Sequence, residues 1–231
     1  MRYAIISDIH GNLEALTTAL NYIEELEIDH IVCLGDIVGY GPNPNECVDL
    51  VRTKCLFTVK GNHDAAAVDL METIHMNKLA REAAIWTHER LTPQAKQYIL
   101  QLSLKVTIEN ATLVHASPHI PENWDYIFTG FDAEHVFSHF ETPFCFIGHS
   151  HRPGEFTNNS TKSANKKKRI INVGSIGQPR DRNPKLSFGI YDTESLSYEN
   201  IRLSYDVEIT ANKIHMAGLP NELAERLYYG L

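Results

Sequence analysis

Short unbroken apolar runs alternate along this chain with longer stretches in which apolar residues recur at three and four. Tyr3-Ala4-Ile5-Ile6 and Ile31-Val32-Cys33-Leu34 are runs of the first kind and read as buried strands. Between them, Leu13, Leu16, Leu20, Ile23 and Leu26 share one helical face, with Glu14, Glu24, Glu25 and Glu27 turned to water. Asn12 is placed to cap that helix. The opening is therefore strand–helix–strand, which implies a parallel, right-handed crossover.

The loop 39–45, Gly-Tyr-Gly-Pro-Asn-Pro-Asn, is dense in turn formers. Asn45 is expected to cap a short helix carrying Cys47, Val48, Leu50 and Val51. Leu56-Phe57-Thr58-Val59 reads as a third buried strand. Met76, Leu79, Ala83 and Trp86 mark another helical face, and Thr92-Pro93 opens a further helix with proline at its first position. Residues 105–109 and 112–115 form a hairpin about Asn110. A helical stretch over 131–140 precedes the strand Phe144-Cys145-Phe146-Ile147. Residues 155–157, 169–173, 187–191 and 200–205 read as mostly antiparallel strands, and 207–231 as short helices parted at Gly218-Leu219-Pro220. The polar, basic stretch 158–168 reads as a solvated hairpin tip.

Composition narrows the class. At 231 residues the chain buries a sizeable core, and one domain over 1–231 is expected. A net charge of −8 argues against a general nucleic-acid or membrane-surface binder. No run is long enough to span a bilayer, and the first strand starts at once, so no leader is expected. Cys33, Cys47, Cys55 and Cys145 make no CxxC pair and read as reduced thiols, which fits a cytoplasmic location.

Candidate chemistry gathers at the strand ends. Asp8/His10, Asp36, Asn62/His63 and His149/His151 each follow an apolar run and neighbour glycine or another small residue, and His115 ends a fifth run. Ligands of open α/β sheets collect beyond the carboxyl ends of strands. Residues two apart on extended chain share a direction, so Asp8 with His10, and His149 with His151, are expected to approach one site together. An oxygen-and-nitrogen donor set without thiolate suits Mn²⁺, Fe²⁺ or Zn²⁺. Six or seven donors exceed the needs of one ion, and two ions sharing a carboxylate is the economical solution.

Asp-Ile-His-Gly-Asn, Gly-Asp, Gly-Asn-His-Asp, a later His after a strand and Gly-His-Ser-His, in that order, resemble the calcineurin-like metallophosphoesterase superfamily. Gly-Asp-Ile-Val-Gly-Tyr-Gly-Pro, the segment 172–181 and the Ala-Gly-Leu-Pro tail look like its small YfcE-like/MJ0936-like phosphodiesterase branch. The resemblance implies an α/β (α+β) fold, a four-layer α/β/β/α sandwich of two mixed β-sheets flanked by helices. It implies two divalent metal ions, Mn²⁺ first, with Fe²⁺, Zn²⁺ or Ni²⁺ also accommodated. Asp8, His10, Asp36 and His151 would hold the first ion, and Asp36, Asn62, His115 and His149 the second. His63 would be the catalytic proton donor or phosphate ligand, oriented by Asp64. The implied reaction is hydrolysis of phosphodiester or phosphomonoester bonds, by in-line attack of a metal-bridging hydroxide.

Phosphoprotein phosphatases of this superfamily carry two phosphate-gripping arginines where this chain has Gly39-Tyr40-Gly41 and Ala65-Ala66-Ala67. That departure argues against a protein phosphatase and leaves Arg152, Arg180 or Arg182 as candidates to replace those arginines from other loops, with Asn12, Tyr40, Arg152 and Arg180 the substrate-binding candidates. The partner implied is a small phosphorylated substrate, nucleotides included, with room for a homo-oligomer. The alternatives are a dinucleoside-polyphosphate hydrolase, with Tyr40 or Trp124 stacked on adenine, and a non-catalytic scaffold on the same fold.

Overall fold

The computed structural model describes residues 1–158 and 167–231. The first sheet takes β1 (Arg2–Ile6), β2 (His30–Cys33) and β3 (Cys55–Thr58) in parallel. The helices α1 (Leu13–Glu25) and α2 (Pro44–Lys54) make the crossovers. Then follow α3 (Asn62–Val68), α4 (Lys78–Arg90) and α5 (Pro93–Leu100). The second sheet is built from β4 (Lys105–Ile108), β5 (Ala111–Val114), β6 (Phe144–Ile147), β7 (Gly154–Thr157) and β8 (Arg169–Asn172). Helix α6 (Gly130–Val136) lies between β5 and β6. The chain returns to the first sheet through β9 (Leu186–Asp192) and β10 (Ser197–Leu203), and ends in α7 (Val207–Met216) and α8 (Asn221–Tyr229). The orders are β10-β9-β1-β2-β3 and β4-β5-β6-β8-β7.

Strand alternation builds the layers. Tyr3, Ile5, Val32, Leu34 and Tyr191 face inward and meet Leu113, Phe144, Phe146 and Ile171 of the second sheet. The next residues along the same strands, Ala4, Ile6 and Cys33, face outward onto Leu16, Leu20, Ile23, Val48 and Val51 of α1 and α2. On the far side, Val114, Cys145, Ile147 and Ile170 receive Ala133 and Val136 of α6, with Phe137 and Phe140. The result is the expected four-layer sandwich of two mixed sheets flanked by helices. Among the described residues no helix is long and apolar enough to cross a membrane.

Three expectations change. The third strand is not buried: Leu56 and Phe57 are 49% and 41% exposed, because β3 is an edge strand. Asn45 does not cap α2, which starts at Pro44 behind Asn43. Its amide instead accepts from the Thr92 N–H and donates to the Arg90 carbonyl, pinning the α4–α5 turn. The late strands are mostly antiparallel, as expected, in the pairs β7–β8, β1–β9 and β9–β10, while β8 also runs parallel to β6. The last strand ends at Leu203, before Tyr205. Of the hairpin tip expected at 158–168, residues 159–166 lie outside the described residues, although the flanking β7 and β8 pair antiparallel.

Candidate metal centre

The parallel strands of both sheets end at one rim. The chain leaves β1 through Asp8 and His10, β2 through Asp36, β5 through His115, and β6 through His149 and His151. The side chains do not reach the rim by extended alternation, as their two-residue spacing suggested. Asp8, His10, Asp36, His149 and His151 all have left-handed backbone, with φ of 52°, 51°, 51°, 64° and 58°. Such a conformation costs a non-glycine residue about 1–2 kcal/mol. Main-chain bonds between the loops hold it: Asp8 N to the Gly35 carbonyl at 3.0 Å and His10 N to the Asp36 carbonyl at 2.9 Å. Glycines leave the space. A Cβ on Gly61 would sit 2.1 Å from Asp36 Oδ1, and one on Gly148 would sit 2.4 Å from Asp8 Oδ2.

Two buried donor sets result, Asp8/His10/Asp36/His151 and Asp36/His115/His149, each with ligand atoms within 4.8 Å of one another. Asp36 belongs to both. His151 Nε2 is 3.3 Å from Asp8 Oδ1, and Asp36 Oδ2 lies 3.3 Å from His115 Nε2 and 3.6 Å from His10 Nε2. Asn62 Oδ1 is 3.2 Å from His115 Nε2, which places it beside the second set. Three imidazoles are backed by carbonyls at Nδ1: His10 by Val38 at 3.1 Å, His115 by Leu34 at 2.8 Å and His151 by Gln178 at 2.5 Å. A ring whose Nδ1–H donates to a carbonyl presents Nε2 as a lone pair in the neutral form. The neutral rings of His10 and His151 then oppose two acceptors only 3.1 Å apart. Among the described residues, Asp36 Oδ2 and His149 Nε2 are buried with no hydrogen-bond partner. Facing acceptors and orphaned lone pairs are what a cation would satisfy, so the donors fit divalent metal ions.

Burial pushes the histidines apart from ordinary values. It holds His10 and His151 well below the usual imidazole range, His63 down at about 4 and His149 at about 3. His115 is the exception: burial pulls it down, but the Asp36 carboxylate beside it wins and lifts it to about 9. Burial also raises Asp8, to about 7.

The remaining predicted residues divide. His63 lies 5% exposed with its ring 4.9 Å from that of His10, and its Nδ1 has no hydrogen-bond partner among the described residues. Asp64 does not reach His63. As the third residue of α3 its carboxylate turns back to accept from Gly61 N, Ile37 N and Val38 N, so it braces the Asp36 loop. Asn12 spends its amide on the fold: it caps α1 at Ala15 N, donates to the Gly177 carbonyl and accepts from Thr210. Tyr40 is largely buried, its ring tilted against His63 at 4.4 Å and His10 at 4.8 Å, and it lines the cleft beside the donors. Arg152 is exposed and donates to the Arg180 carbonyl. The Arg180 guanidinium lies over Tyr40 at 5.5 Å and bonds Gln178.

Three contributors escaped the sequence reading. Asn172, a polar end to the apolar strand β8, donates to the Gly148 carbonyl and to Ser150, fixing the loop between His149 and His151. Tyr126 stacks on His149 at 4.0 Å. Gln178 holds His151 through its carbonyl and arginines through its side chain. Only Asn172 carried a local signal. Beside the donors opens a cleft of about 470 Å³, lined by His63, His149, Trp124, Tyr126, Glu72 and Glu122 among others.

Known proteins resemble this chain in sequence and fold. The chain is 38% identical to the uncharacterized protein MJ0912 of Methanocaldococcus jannaschii, over 98% of this chain and 97% of that one. It is 29% identical to serine/threonine-protein phosphatase 2 of Escherichia coli over 119 residues, 51% of this chain and 50% of the other. The crystal structure of a metallophosphoesterase from Sphaerobacter thermophilus superposes with a TM-score of 0.88 at 36% identity, covering 100% of this chain and 99% of its own. Residues 1–196 match the Calcineurin-like phosphoesterase superfamily domain, and the chain belongs to that superfamily.

Proposed function

We propose that the protein is a dinuclear metal-dependent phosphoesterase acting on phosphodiesters or phosphomonoesters. Asp8, His10, Asp36 and His151 hold one divalent ion, and Asp36, Asn62, His115 and His149 hold the other. The observation that carries this reading is two buried donor sets joined at Asp36, whose Oδ2 is buried without a hydrogen bond among the described residues. Nitrogen and oxygen donors without thiolate favour Mn²⁺, with Fe²⁺ or Zn²⁺ as substitutes. When bound, the ions supply Lewis-acid polarisation of the phosphoryl group and make water a nucleophile at neutral pH.

The chain's own residues position and neutralise. Asp8 and Asp36 offset only half of two divalent charges, so the rim attracts an anionic ester although the chain carries −8. His63 is neutral in the free site, and the negative charge of a bound phosphate favours its protonated form. It then gives that proton to the leaving oxygen. Tyr40, packed on His10 and His63, fixes both rings. Buried Cys33, Cys47 and Cys145 and half-buried Cys55, all free, support a reducing, cytoplasmic setting.

The test is hydrolysis of bis-p-nitrophenyl phosphate with Mn²⁺, with metal counted in parallel. Asp36→Ala should lower turnover by more than about 100-fold, since even residues outside the ligand shell cost about 10–100-fold, and it should lower bound metal. Absence of turnover with every divalent metal would leave the scaffold reading standing. The cleft, walled by Trp124 and Tyr126, favours a second reading within the same chemistry: a dinucleoside-polyphosphate hydrolase with a base against those rings. A panel of monoesters, diesters and dinucleoside polyphosphates separates the two.

A further inference from the structure

Two arginines converge beside the metal centre without a carboxylate between them. Arg180 donates from Nε and Nη2 to Gln178 Oε1, at 3.3 and 2.8 Å. Arg226, from the middle of α8, donates from Nη1 to the same oxygen at 3.2 Å. Neither forms an ion pair among the described residues, and Asp181, next to Arg180, is taken by Arg202. Arg180 Nη1 and Arg226 Nε and Nη2 have no protein acceptor among the described residues. One amide oxygen carries no charge to offset two guanidiniums. Their mutual repulsion is felt: burial first, and the Arg180 charge second, lower the Arg226 pKa. In a chain with 29 acidic residues against 21 basic ones, leaving this pair unneutralised is informative.

The pair is also coupled to the metal centre. Gln178, which gathers both guanidiniums, holds His151 through its carbonyl. The Tyr40 ring touches Arg180 on one hand and His10 and His63 on the other. Helix α8 is fixed in place by Leu223 and Leu227, packed with Tyr40, and by the Arg182 N–H to the Gly230 carbonyl. We propose that Arg180 and Arg226 form a second anion subsite, which binds a phosphate group of the substrate other than the one hydrolysed. This rests on the phosphoesterase reading and narrows its substrates to esters that carry a further phosphate. A planar guanidinium pair matches tetrahedral phosphate oxygens by charge-assisted hydrogen bonds.

Two measurements test it. The first is calorimetric titration of metal-free protein with inorganic pyrophosphate. Arg226→Gln should weaken binding about tenfold or more, and Arg226→Lys, which keeps the charge, should recover part of it. Equal affinity in the wild type and Arg226→Gln overturns the subsite, and so does equal weakening by Gln and Lys. The second is the kcat/KM ratio of Mn²⁺-loaded protein for thymidine 3′-(p-nitrophenyl phosphate) with and without a 5′-phosphate. The wild type should favour the 5′-phosphorylated ester through KM, and Arg226→Gln should bring the ratio towards one. A ratio unmoved by the substitution overturns the subsite and leaves the hydrolase intact. Absence of turnover with either ester sinks the hydrolase reading, while the calorimetry still decides whether the arginines hold phosphate.

Discussion

At the scale of single residues, protonation of the metal-free site sets a pH dependence. His115 at about 9 and Asp8 at about 7 both lie above their unfolded values. A group raised in this way stabilises the fold below its unfolded pKa and stops doing so as pH rises through its folded one. The lowered imidazoles, His63 and His149, have completed their titration by the unfolded value of about 6.5. The metal-free protein should therefore lose thermal stability between about pH 6.5 and 9, as read by scanning calorimetry in EDTA. Near pH 8, Asp8 has largely lost its proton and His115 still holds its own, so metal uptake should release about one proton. Titration in buffers of different ionisation heat counts it. Space is equally exacting at Gly148, where a Cβ would meet Asp8 Oδ2 and Ser7 Oγ. Gly148→Ala should cost about 1–3 kcal/mol of stability and reduce bound metal. The donors themselves were legible because each is a polar exception directly after an apolar run. The partners of Asn12 and Asp64 were not, because the amides and carbonyls they satisfy, such as Gly177 and Ile37, are brought near only by the fold.

At the scale of elements, patterning located strands and helices but not their neighbours. Leu56 and Phe57 sit in a run as apolar as Tyr3–Ile6, yet β1 is central and β3 is an edge. Strand order depends on long-range pairing that a local run does not encode. Contrasting substitutions expose the difference. Phe57→Thr, on the open edge, should change stability by about 0.5 kcal/mol or less. Phe146→Ala, at the closed contact between the sheets where its ring lies 5.1 Å from Tyr191, should cost about 3–5 kcal/mol. Urea denaturation of both variants makes the comparison. Arg226 was invisible for a related reason: nothing near α8 in sequence hints that it returns to Gln178.

At the scale of the whole molecule, the donors belong to different sheets. Asp8, His10 and Asp36 hang from the first, and His115, His149 and His151 from the second. Ions bound there stabilise the folded state by mass action, by about 2.7 kcal/mol at a free concentration of 100 times Kd. Chelation should accordingly lower the melting temperature, and Asp36→Ala should blunt that response. The split ancestry of the donors has a consequence for how the molecule is made. The first hundred residues emerge from synthesis with three acidic or imidazole donors facing a rim that has no opposite bank. A fragment ending before His115 should stay metal-poor, and capture of the cations becomes a late act that clasps two already woven halves.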